Sequence, residues 1–172
     1  MATSKEDNQV LCCGFHQINK KTKTNIGIAL NEGYTEHLNQ QHFFPDYFDD
    51  SYLHEQSIAY EFEKIIGREK MEKLYFEADL YGLIQELTKY ASVEEIITFL
   101  RDFDKLHTKP VPMEQKEKEF KALRKRIAEI YLRKQKMLLD QGKISEDTYK
   151  ENKLIHADIF VNQEISFSEG AI

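Results

Sequence analysis

The sequence predicts a mainly α fold: a helical bundle with a small N-terminal β-hairpin and a long C-terminal αα-hairpin. Three observations predict it. Only 7 Gly and 3 Pro among 172 residues leave few turns, which favours long helices over many short strands. Lys, Glu, Leu, Ile and Gln are abundant, the vocabulary of helices. Beyond residue 30, apolar residues recur at three- and four-residue spacing.

The elements follow in chain order. Residues 1–9 lack periodicity. Val10 to Ile18 is rich in strand formers with a Gly inside, and Asn25 to Ala29 is a second extended stretch. The polar run between them reads as the turn of a hairpin. Two strands alone are marginal in water, so the pair must pack on helices. A helix is expected from about Leu30 to His42, ended by the stretch containing Pro45. The four aromatics Phe43, Phe44, Tyr47 and Phe48 there suggest a loop pinned to the core.

A second helix is expected from Ser51 to Ile66, with Gly67 as its stop, and a third over Arg68 to Phe76. Leu80, Leu83, Ile84 and Leu87 mark a fourth. Ser92 caps a fifth, with Glu95 three residues on as a capping box, and it ends near Leu106. Pro110 and Pro112 form the clearest boundary. It divides a domain over 1–109 from a helical hairpin and tail over 110–172. Met113 to Asp140 is one long charged helix with a narrow apolar seam that Lys134 interrupts. Ser145 caps a last helix to about Phe160, with Tyr149, Ile155 and Ile159 facing back. Residues 161–172 read as a tail.

Net charge is −6, which argues against generic nucleic-acid binding. Residues 1–109 carry 12 basic and 19 acidic side chains, whereas residues 110–172 carry 12 and 11. The basic run from Lys121 to Lys136 has one interleaved aromatic, Tyr131, and reads as a solvated helix face. Cys12 and Cys13 are adjacent, which rarely suits a disulfide, and no CxxC spacing exists. No apolar run approaches the roughly 20 residues of a membrane span. The polar N-terminus has no apolar signal core. The expectation is a cytoplasmic protein that binds neither nucleic acid nor membrane.

Several functional residue types crowd into one stretch, Leu30-Asn31-Glu32-Gly33-Tyr34-Thr35-Glu36-His37-Leu38. Glu32 and Glu36 are one helical turn apart on one face. Leu30, Tyr34 and Leu38 form a neighbouring apolar stripe. Gly33 costs the helix roughly 1 kcal/mol relative to Ala, a cost that close approach of another backbone or a ligand would explain. Spacing alone leaves a solvated carboxylate pair as the plain reading. The wording says more. "LNEGYTEHL" resembles the segment of gluzincin metallopeptidases, of the "LNEGFAEYL" kind, that supplies their third zinc ligand. The resemblance implies Glu32 as that ligand and Glu36 as support for a zinc-bound His.

The same family requires His-Glu-x-x-His, so that two His reach one ion and the Glu takes a proton from its water. The six histidines cannot supply it. His37 and His42 are five apart, and His54-Glu55 is followed by Ile58 where the second His belongs. His16, His107 and His156 are isolated, and each histidine reads as a surface or core-edge residue. A thiolate pair of Cys12 or Cys13 with His16 rests on sequence proximity alone. Phosphate-binding Gly loops and a G-x-S-x-G elbow are missing.

The resemblance therefore implies the second part of a gluzincin-like peptidase whose missing helix precedes Met1. Zinc would bind only if that helix is supplied, and this chain alone would be inactive. Gly33 would let the helix lie close to that missing neighbour. The alternative is a non-catalytic helical interaction protein that takes a protein partner on the 113–160 hairpin.

Overall fold

The computed structural model describes residues 2–3, 10–19, 24–43, 52–110 and 112–162. Its architecture is mainly helical, with a small antiparallel sheet at the N-terminus. Strands β1 (Ala2–Thr3), β2 (Val10–Cys13), β3 (His16–Asn19) and β4 (Thr24–Ile26) lie in sequence order. Cys13 pairs with His16, and Asn19 with Thr24.

The expected single strand over Val10 to Ile18 is in fact two. The chain turns at Gly14 and Phe15 between β2 and β3. Phe15 at this turn is fully buried, with its ring 5.8 Å from Tyr34 and 5.4 Å from Tyr75. An aromatic anchor at the tip thus gives the sheet the helical support that a small sheet needs. Ile28 and Ala29 belong to the following helix and not to a strand.

Helix α1 (Ile28–His42) starts at Gly27, whose φ of +84° suits glycine. It packs on α2 (Leu53–Ile66), and α3 (Arg68–Phe76), α4 (Leu80–Leu87) and α5 (Val93–Thr108) follow. Ser92 accepts from the Glu95 N–H at 3.1 Å, as its position predicts. Helix α6 (Met113–Asp140) runs unbroken, and α7 (Glu146–Lys153) returns along it after a Ser145 cap.

Lys134 breaks the α6 seam for a reason the structure shows. Its ammonium donates to the Lys64 carbonyl at 2.8 Å, in the last turn of α2. A cation there satisfies an orphan carbonyl and faces the negative end of the helix dipole.

The last helix departs from expectation. After α7 the chain makes a π-helical turn over Leu154–Ile159, then the short helical stretch Phe160–Asn162. The wider turn shifts the inward face by about one residue. His156, Phe160 and Val161 are buried, while Ile155 and Ile159, expected inside, are exposed. Phe43, the first of the four aromatics expected to be pinned, is also exposed. Phe44, Tyr47 and Phe48 lie outside the described residues, as do residues 163–172.

One hydrophobic cluster runs from Phe15 through α1–α5 to Phe120, Ile127, Tyr131 and Phe160. Helix α2 stands at its centre, against α1, α3, α4 and α6. No described helix is long and apolar enough to cross a membrane.

Candidate functional site

The site is built outward from the start of α1. Asp104 on α5 accepts from the Gly27 N–H at 2.7 Å and the Ala29 N–H at 2.9 Å. Those donors have no partner within the helix, so a distant carboxylate caps it in place of a local side chain. Burial pushes the Asp104 carboxyl up, and the two amide bonds pull against that. The sequence places the start of this helix at about Leu30, because no local side-chain cap marks Gly27.

The next turn carries Asn31, Glu32 and Gly33. Asn31 is buried, and its Oδ1 accepts from the Phe15 N–H at 3.2 Å, which ties α1 to the β2–β3 turn. Gly33 is buried on another side. A Cβ there would collide with the carbonyl of Glu55 in α2. The close neighbour of Gly33 therefore belongs to this chain, which corrects the expectation of a partner preceding Met1. Glu32, between these two residues, is half-buried, and a 3.4 Å approach from the Asn31 amide is the hydrogen bond shown for it.

Glu36, one turn on, is also half-buried. Tyr34 and His37, on the inward side, converge on Glu63 of α2. The Tyr34 hydroxyl donates to Glu63 Oε2 at 2.9 Å, and His37 Nε2 lies 3.3 Å from the same oxygen. Burial raises the Tyr34 hydroxyl far above its ordinary value, with Glu63 adding to the effect. Burial lowers His37 against the pull of Glu63. Thr35 Oγ1 meets the Tyr75 hydroxyl at 2.7 Å.

Two groups feel the charge of Glu32. Tyr75 is raised mainly by burial, with a smaller push from Glu32. His107 is raised mainly by its hydrogen bond to Glu55, whose Oε1 lies 3.0 Å from Nδ1, and Glu32 adds to that.

The histidines are more structural than their isolation in sequence suggests. His37, His54 and His156 are buried, and His107 is half-buried. Each approaches a carboxylate across an element boundary: His37 to Glu63, His54 to Glu117, His107 to Glu55 and His156 to Glu61. Four of these eight residues lie on α2. The reading of α2 by its apolar stripe missed them, because Glu55, Glu61 and Glu63 look like surface acids until distant partners surround the helix.

The basic run on α6 is largely occupied. Arg124 pairs with Glu117, Arg126 with Asp102 and Arg133 with Glu95. Cys12 and Cys13 are free thiols.

A catalytic zinc takes three protein ligands and keeps one position open. Among the described residues no group of three or more His, Cys, Asp and Glu could hold a metal ion. Compared with protein-family models, with curated proteins and with solved structures, the chain matches none.

Proposed function

We propose that this chain supplies the third-ligand helix of a gluzincin-like zinc peptidase, with Glu32 as the ligand and Glu36 as support for a zinc-bound histidine. The observation that carries the reading is the division of labour in Asn-Glu-Gly. Asn31 is spent on the Phe15 N–H and Gly33 on the Glu55 backbone, so both serve the fold. Glu32 between them is held in place and left half-exposed. A ligand carboxylate needs that combination of fixed backbone and solvent-accessible side chain. The role of this chain's residues is then to fix one carboxylate. The two histidines and the general base must come from a His-Glu-x-x-His helix outside the described residues.

The test is to translate the DNA immediately upstream in frame and to purify the protein it encodes together with this chain. The reading expects His-Glu-x-x-His there, one zinc per chain, and loss of that zinc in Glu32→Ala. An upstream sequence without the motif, or zinc retained by the variant, would overturn it.

A second reading, a helical interaction protein, has one observation in its favour. Leu154, Ile155 and Ile159 are exposed together on the π-helical turn. Specific capture of one protein partner, lost in Ile155→Ser/Ile159→Ser with helicity unchanged, would support it. Capture that survives the double change would remove it.

A further inference from the structure

We propose that His54 and Arg124 form an acid-sensitive latch that fastens the first half of α6 onto α2. The proposal does not depend on the zinc reading. His54, in the first turn of α2, is 2% exposed, and Arg124 of α6 is 1% exposed. Phe120 of α6 lies flat on the imidazole, with centroids 4.3 Å apart and planes 8° from parallel. Arg124 Nη1 is 3.2 Å from His54 Nδ1.

A guanidinium has donors only, so Nδ1 must accept. That fixes His54 as neutral imidazole with its proton on Nε2. The Nε2 atom lies 3.3 Å from Glu117 Oε2, and Arg124 Nη2 donates to Glu117 Oε1. Glu117 thus pairs with Arg124 and stands close to His54 across the α2–α6 interface.

A second proton on His54 has one place to go, Nδ1, where it would face the guanidinium. The Arg124 bond would lose its acceptor, and two cations would stand together in a nearly dry site. Glu117 faces both of them from α6. Among the described residues, Lys116 from α6 and Glu55 from α2 also act on His54. Glu55 is already engaged by His107 of α5. Burial, the leading influence, holds His54 below its ordinary value, in line with the geometry.

The sign follows from the neutral form. The unfolded chain takes up this proton near pH 6.5, the ordinary histidine value, and the latched form resists it. The latch is closed above that pH and weakens as pH falls through the folded value. Release is local, because Lys134 on the Lys64 carbonyl and the His156–Glu61 pair hold the hairpin farther along. Pro112, which caps α6, sits beside the segment that would loosen.

Hydrogen exchange on the full chain tests this at about pH 7.5 and about pH 5, with rates corrected for intrinsic exchange. Residues 113–127 are expected to lose protection several-fold relative to residues 68–87, within the limit of about tenfold per pH unit that uptake of one proton sets. His54→Gln, which carries no titrating proton, is expected to keep its protection constant. Equal protection of the wild type at both values, or the same loss in the variant, would overturn the latch. Imidazole NMR on the wild type is independent of how the variant folds. It should show His54 as the Nε2–H tautomer at neutral pH, and a charged or Nδ1–H imidazole would overturn the proposal.

Discussion

Gly33 of α1 faces the carbonyl of Glu55 of α2 so closely that no Cβ fits between them. The contact sets how near the two helices lie, and therefore where the neighbouring Glu32 stands. Gly33→Ala gains roughly 1 kcal/mol of helix propensity. Overpacking against backbone costs about 1–3 kcal/mol and wins, because a main chain in a helix cannot swing aside. The expected outcome is a net loss of up to about 2 kcal/mol in urea unfolding.

Asp104 holds the start of α1 from 75 residues away in sequence, through the Ala29 N–H. Asp104→Ala leaves the Gly27 and Ala29 donors buried without partners. A loss of about 2 kcal/mol is expected. Amide exchange should rise first at residues 27–31, with α6 unaffected. A uniform loss of protection would contradict the capping role.

Much of this fold is legible in the sequence, and the reasons are local. Leu80, Leu83, Ile84 and Leu87 repeat at helix spacing, and all four are buried. Ser92 and Ser145 cap the helices that follow them. What the sequence hides depends on distant partners. Glu61 meets His156 from 95 residues away. The π-helical turn carries no breaker, so the face shift from Ile155 to His156 cannot be read from spacing. In the candidate site, the wording of Asn31-Glu32-Gly33 marks a turn of α1 in which Asn31 and Gly33 are buried. That Gly33 is filled by α2 could be learned only from the fold.

His107 gives a pH signature. Its bond to Glu55 raises the folded imidazole above the ordinary value of about 6.5. A raised histidine stabilises the fold fully below the unfolded value, and that contribution fades as pH rises through the folded midpoint. Glu55→Gln should lower the His107 midpoint, read by imidazole NMR, and remove this part of the pH dependence. Glu32→Ala should lower it by a smaller step. No movement in Glu55→Gln would show that the 3.0 Å pair carries no charge interaction.

The central claim is that Asn31 and Gly33 serve the fold so that Glu32 need not. The most direct measurement is the unfolding free energy of Glu32→Ala beside that of Asn31→Ala. Asn31→Ala is expected to cost about 1–3 kcal/mol, because the buried Phe15 N–H loses its acceptor. Glu32→Ala is expected to fall within about 0.5 kcal/mol of the parent. A loss in Glu32→Ala as large as that of Asn31→Ala would contradict the account and make Glu32 a structural residue.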